Sequence, residues 1–255
     1  MATIDVFTSG VWQLSSVIVA DDDDCLVIDP GYFPRELEEL ARAAAARGHT
    51  SQVIFTPGHW DHVLGWRSFP GAEVAGSARL AADVAGGTAQ AADNLARGRD
   101  FDGRWYVDRG APLAWPETVR PVADGDTLRV GEATLRALSL PGHSPDGLAL
   151  ILDAPRLLVA GDYLSPCEIP FVEDVVAYRE TLRRLLALLP ELDGVIPGHG
   201  PRLTPREAAA IARADLSYLD ALANGELDVS LPRAADVPGM REHHDENVAA
   251  ARRRG

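Results

Sequence analysis

The stretch FTPGHWDH, residues 55–62, places His59, Asp61 and His62 within four positions of one another, directly after an apolar run. Imidazole nitrogens and carboxylate oxygens are the donors that suit zinc, iron or manganese. The same local pattern returns three times: LSLPGHSPD carries His143, LLVAGD carries Asp162 and VIPGHG carries His199. In each case a run rich in Val, Ile and Leu gives way to Gly or Pro and then to a potential ligand. One histidine beside a glycine is as well explained by a buried turn that it satisfies. Six such residues in one repeated context predict a metal centre, because ligands at the ends of neighbouring strands converge in space while glycine lets the backbone turn sharply. Cys25 and Cys167 lie far apart and outside any CxxC pattern, so a thiolate zinc knuckle and a disulfide framework are both disfavoured.

The elements that must position these residues are strands and helices in alternation. WQLSSVIVA (12–20) and CLVIDP (25–30) flank the four aspartates 21–24, which read as a hairpin turn and not as a calcium loop. PRELEELARAAAARG (34–48) has Pro in its first turn and Gly at its end, the pattern of a helix, and QVIFT (52–56) is the next strand. Residues 77 to about 97 read as helical, and 97–117 as an irregular stretch rich in Arg and Trp. A hairpin around Gly131, strands at GLALILD and RLLVAGD, a helix at 174–189 and a short strand at GVIPGHG follow. Residues 204–225 open with Thr204, Pro205 and Glu207, the signature of a capped helix. The halves share a hairpin-then-helix theme, as expected of two stacked sheet layers with helices outside. The expectation is a single domain over 1–255, with 204–255 a C-terminal helical segment.

Composition narrows the function. The 255 residues carry a formal charge of −14, which disfavours a nucleic-acid partner, since polyanion binding rests on clustered basic side chains. All 24 basic residues are arginine. The absence of lysine excludes a P-loop nucleotidase, a Schiff-base aldolase and a pyridoxal-phosphate enzyme, each of which needs an amine. No stretch of eighteen apolar residues occurs and the first ten residues lack the pattern of a secretion signal, so the expectation is a cytoplasmic protein with a small-molecule substrate and no membrane partner.

From VIDPG near residue 27 to GHG at 198–200, motif order and strand context together resemble the metallo-β-lactamase fold hydrolases, which include glyoxalase II-like thioesterases and lactonases. The resemblance implies an α/β fold, a four-layer αββα sandwich, and hydrolysis of an ester, lactone or thioester by a metal-activated water, with zinc the first expectation and iron or manganese alternatives. It assigns His59 and His143 to a first metal, Asp61, His62 and His199 to a second, and Asp162 to a bridge. It makes Asp61 the catalytic residue that orients the nucleophile or passes its proton on, and Asp29 a support behind the ligands. The family's HxHxDH motif has a histidine where this chain has Pro57, which can ligate nothing. The expectation is one tight metal, the second weak or absent.

Two other readings belong to the same motifs. His59, His143 and Asp162 could form the 2-His-1-carboxylate site of an iron dioxygenase acting on persulfides, and a member impaired by Pro57 could bind ligand without turnover. For substrate contacts the candidates are Tyr163, Arg104 and Trp105, with Arg97, Arg99 and Arg109 nearby; the plainer reading has these arginines paired with Asp100, Asp102 and Asp108. Glu168 lies on a second possible wall. His243 or His244 could fold back to replace the missing ligand, or could decorate an exposed helix.

Overall fold

A computed structural model describes residues 2–226, 229–232 and 239–252. Two sheets form its centre. In the first, β1 (Thr3–Thr8), β2 (Ser15–Asp21), β3 (Asp24–Ile28), β4 (His49–Ile54), β5 (Glu73–Ser77) and β6 (Arg120–Val122) lie side by side in chain order. The pairs from β1 to β3 are antiparallel and those from β3 to β6 parallel. In the second, β7 (Thr127–Val130), β8 (Ala133–Ser139), β9 (Leu148–Leu152) and β10 (Leu157–Val159) are antiparallel, and β11 (Gly194–Ile196) joins β10 in parallel.

β2, β3, β9 and β10 are buried almost throughout, as strands covered on both faces are. Val17, Val19, Leu26, Ile28 and Ile54 point inward from the first sheet against Leu135, Leu148, Leu150, Val159 and Ile196 of the second. Their alternates Ile18, Ala20, Val27 and Val53 point outward onto Leu40 and Ala44 of α1 (Pro34–Arg47). On the far side Ala149, Ile151 and Leu158 meet Leu182 and Leu185 of α5 (Val175–Leu188) and Ala212 and Leu219 of α6 (Pro205–Ala223). Each fully buried Val, Leu or Ile among them contributes about 1.5–3 kcal/mol. The result is helix, sheet, sheet, helix, the expected αββα sandwich. No helix among the described residues is long and apolar enough to cross a membrane.

Capping follows the sequence closely. Asp174 accepts from the amides of Val176 and Ala177 at the start of α5, and Thr204 and Glu207 form a reciprocal capping box on α6. The stretch 77–117 differs from expectation. It holds two helices, α3 (Ala78–Gly86) and α4 (Ala89–Trp105), broken at Gly87 and Thr88, so the Arg- and Trp-rich segment is helical as far as residue 105. RGRDFDGR has poor helix propensity, but Leu95, Gly98 and Phe101 recur at helical spacing on one face. The Tyr32 hydroxyl anchors that face to the Gly98 carbonyl at 2.6 Å and to Asp102 at 2.7 Å, so tertiary contact overrides the local preference. Tyr106, in left-handed conformation, ends the helix.

Candidate metal centre

Asp29, His59, His143, Asp162 and His199 follow β3, β4, β8, β10 and β11, at one rim of the sandwich. The two sheets are tied together there. Leu148 N–H donates to the Thr56 carbonyl at 2.7 Å, and Ser15 N–H to the Gly198 carbonyl at 2.7 Å. After β4 the chain runs through Pro57 and Gly58 to His59, which caps the one-turn helix α2 (Trp60–Val63). Asp61 and His62 sit on that turn, both buried. The ligand-bearing loops of the second sheet depend on glycine. Gly142 has φ +129 and a Cβ there would lie 2.3 Å from the Tyr178 backbone; a Cβ on Gly198 would lie 2.5 Å from Asp162 Oδ1.

Two groups of ligand atoms result, each within 4.8 Å of one another: His59, His143 and Asp162, and Asp61, His62 and His199. The Asp162 carboxylate spans both. Its Oδ2 is 3.0 Å from His143 Nε2 and 3.4 Å from His59 Nδ1, while its Oδ1 is 3.0 Å from His62 Nε2 and 3.4 Å from His199 Nε2. Asp61 Oδ2 is 3.6 Å from His199 Nε2 and 3.8 Å from His62 Nε2.

The outward nitrogens have their own partners. His143 Nδ1 lies 3.0 Å from the Phe171 carbonyl and His199 Nδ1 3.0 Å from the Trp12 carbonyl, so each Nδ1 donates outward and each Nε2 is the nitrogen turned to the cluster. His62 Nδ1 sits 3.0 Å from Asp29 Oδ2, in ion-pair contact but not aligned for a hydrogen bond. Asp29, itself at φ +49, is fixed by the amide of Thr56 at 2.8 Å and its hydroxyl at 2.5 Å.

Among the described residues His62 Nε2 and Asp162 Oδ1 are buried without a hydrogen-bond partner. A buried polar atom left so is costly, and a nitrogen lone pair facing a carboxylate oxygen at 3.0 Å is a fit for a cation between them. The field of the site agrees. Burial opposes a charged imidazole at His62, but Asp162, Asp29 and Asp61 outweigh it and hold its pKa well above the usual histidine value. At His199 burial is likewise overcome, chiefly by Asp162, and the pKa is lifted to about 9. Burial disfavours the Asp162 anion, yet His62 and His143 keep its pKa well below the carboxylate range. The carboxylates draw positive charge into the rim, and the donor set suits a divalent ion.

The other expected residues are placed as follows. Tyr163 is buried and its hydroxyl is engaged by backbone, accepting from His143 N–H at 2.9 Å and donating toward the Pro141 carbonyl at 2.9 Å, so it supports His143 from behind. Arg104 is exposed and Trp105 is 64 % exposed at the end of α4. Arg109 pairs with Asp102 through Nε at 2.6 Å and lies over the Tyr32 ring at 3.9 Å, the plainer of the two readings. His244 contacts the Tyr218 hydroxyl at 2.8 Å and His243 contacts Glu246 at 3.0 Å; neither belongs to the two clusters.

Asp146 and Trp12 escaped the sequence reading, as did the shifted carboxyl of Glu168, a residue already placed on a possible wall. Asp146 holds the turn before His59: it accepts from Gly58 N–H and from Gln90 Nε2, both at 3.1 Å, and from the Ser144 hydroxyl at 2.5 Å. Burial pushes the Glu168 carboxyl up to about 7, with His199 pulling against it and Asp162 and Asp61 adding to it. Trp12, 53 % exposed, meets Trp60 and Phe101 edge-on at 5.5 and 6.0 Å, and Phe101 meets Trp105 at 6.3 Å, so a line of aromatic rings runs from the β1–β2 connection to the end of α4. The GHSPD motif was the available signal for Asp146; nothing local marked Trp12.

The sandwich and its rim of imidazoles and carboxylates define a metallo-hydrolase fold, and the model of the metallo-beta-lactamase superfamily matches residues 9–199: the chain belongs to that superfamily. Over 108 residues, 38% of this chain, it is 34% identical to the atrochrysone carboxyl ACP thioesterase AgnL7 of Paecilomyces divaricatus, and the match spans 34% of that thioesterase. A probable metallo-hydrolase of Bacillus subtilis (strain 168) is 26% identical over 197 residues, covering 75% of this chain and 87% of its own. A solved metallo-beta-lactamase family protein from Thermus thermophilus superposes with a TM-score of 0.68 at 18% identity, over 98% of this chain and 91% of that one.

Proposed function

We propose that the protein is a metal-dependent hydrolase that cleaves a thioester or ester of a small molecule carrying an aromatic or bulky apolar group. The observation that carries this reading is the pair of clusters, His59–His143–Asp162 and Asp61–His62–His199, with Asp162 presenting one oxygen to each. A divalent ion there, zinc being the first expectation, supplies Lewis acidity toward a carbonyl and acidifies a water. Asp61, buried beside His199 and His62, is placed to orient the attacking water and to pass its proton to the leaving group. Pro57 leaves the first cluster one side chain short of the HxHxDH pattern, so the Asp61 cluster is the tighter site. Two features support the substrate class: the aromatic line from Trp12 to Trp105 beside the rim, and the likeness, over part of its length, to a protein named a carboxyl ACP thioesterase. The charge of −14 favours a small substrate over a polyanion.

The 2-His-1-carboxylate grouping of His59, His143 and Asp162 also favours an iron dioxygenase as a second reading. That reading leaves the Asp61 cluster without a task. Elemental analysis of protein purified without added metal, followed by assays on aryl thioesters and esters and by oxygen uptake, separates the two. The hydrolase reading expects close to one tightly held ion per chain, turnover that a chelator abolishes and zinc restores, and no oxygen consumption. Iron with oxygen uptake, or protein that takes up no metal, overturns it.

A further inference from the structure

The C-terminal helix α7 (Met240–Arg252) lies outside the two clusters, yet one of its side chains reaches the segment that holds a candidate ligand. Asn247 is 1 % exposed. Its Nδ2 donates to the Pro170 carbonyl at 2.6 Å and its Oδ1 accepts from Val172 N–H at 3.1 Å. These partners fix which end of the amide is which, since a carbonyl needs a donor and an amide N–H an acceptor. The two bonds bracket Phe171, whose carbonyl receives the His143 Nδ1 proton at 3.0 Å. His243, one turn earlier on α7, packs edge-on against the Phe171 ring with centroids 3.9 Å apart. Nδ2 of Asn247 also lies 3.2 Å from the Tyr218 hydroxyl of α6, a longer contact than the one to Pro170.

We infer that Asn247 is a positioning residue: by clamping both neighbours of Phe171 it aims the carbonyl that sets the tautomer and ring orientation of His143. The chain of contact is short, running from Asn247 through the 170–172 backbone to His143 Nδ1. Behind the cluster, His143 is otherwise held at its backbone, where its N–H meets the Tyr163 hydroxyl. On the cluster side its Nε2 faces Asp162 Oδ2 at 3.0 Å and His59 Nδ1 at 3.2 Å, so the Phe171 carbonyl is the partner that holds the outward nitrogen. Supports of this kind, one layer behind a metal ligand, are worth about 10 to 100-fold in metal affinity. The effect falls on the His59–His143–Asp162 cluster and spares the Asp61 cluster, whose imidazoles are backed by Asp29 and the Trp12 carbonyl. This rests on the reading that His143 ligates a metal, and a metal-free measurement keeps the two separable.

The test compares the wild type with Asn247→Ala, Asn247→Asp and Tyr218→Phe. In metal-free protein at alkaline pH, ring ¹⁵N shifts of His143 are expected to report the Nδ1–H tautomer in the wild type and Tyr218→Phe, and a mixture in Asn247→Ala. In cobalt titrations followed by visible absorption, Asn247→Ala is expected to weaken the His143 cluster about 10 to 100-fold and the Asp61 cluster less than about threefold. Asn247→Asp, which keeps the acceptor but loses the donor, should fall between, and Tyr218→Phe should leave both affinities alone. If both clusters weaken together, or Tyr218→Phe acts as strongly as Asn247→Ala, the effect is general loosening and the inference fails. It fails equally if the tautomer does not move. Should Asn247→Ala not fold, Asn247→Asp carries both measurements. A tautomer that moves in protein that binds no cobalt removes the metal reading and leaves the positioning role.

Discussion

The two halves of the rim are built to different standards. In the Asp61–His62–His199 half every ligand is buried, and both imidazoles are backed by a partner on the outward nitrogen, Asp29 for His62 and the Trp12 carbonyl for His199. In the other half the side chain of His59 is 31 % exposed, Pro57 offers nothing, and orientation of His143 is delegated to a carbonyl that the C-terminal helix holds in place. On the reading proposed above, the difference teaches that a proline in place of one ligand leaves the opposite half intact, because the Asp162 carboxylate presents one oxygen to each side.

The sharpest way to break this comparison is to delete one imidazole from each half. His62→Ala is expected to lower kcat/KM by about 100-fold or more and to remove the tightly held ion, whereas His59→Ala should cost about tenfold, because its cluster is already a ligand short. Equal losses would mean the halves are equivalent. Asp29→Asn, which leaves His62 without its anionic partner, is expected to weaken the tight site about 10 to 100-fold in a chelator-competition titration. Pro57→His addresses the other half: the second ion should bind about tenfold more tightly, and a turnover that rises with it identifies the natural chain as limited by that site. Trp12→Ala keeps the backbone carbonyl that holds His199 and should leave metal content alone. It should raise KM for aryl thioesters about tenfold without changing KM for acetyl thioesters, since roughly 1.5 kcal/mol of aromatic burial is lost.

The mildest effect is one of pH. The folded-state pKa of His199 is raised to about 9 from an ordinary 6.5, so the stability it contributes to the metal-free fold is complete below about pH 6.5 and is lost as pH rises through 9. The Tm of chelator-treated protein is therefore expected to fall across that window. Zinc-loaded protein should lack the slope, because the ion takes the place of the proton.

Much of the fold was legible because its periodicities are local. Val17 and Val19 alternate with Ile18 and Ala20, the strand runs end in Gly or Pro, and Thr204 with Glu207 announces α6. The six candidate ligands were legible for a related reason: they fall in four stretches, each with a strand-then-glycine context. What stayed hidden involves partners distant in the chain. α4 runs on to Trp105 because Tyr32 bonds to Gly98 and Asp102, 66 and 70 positions away. Tyr163, beside Asp162 in the sequence and thus a plausible wall, turns inward to the His143 amide.

By itself the sequence determined which residues can bind a metal, that they stand at strand ends, and that a proline interrupts their pattern, since donor chemistry and strand periodicity are properties of the chain at short range. Only the tertiary structure set those donors side by side, in the two groups that the resemblance implies and with Asp162 facing both, and brought Trp12, Phe171 and Asn247 behind or beside the site. Those outcomes depend on how two sheets and their helices pack, and packing joins residues that no local pattern relates.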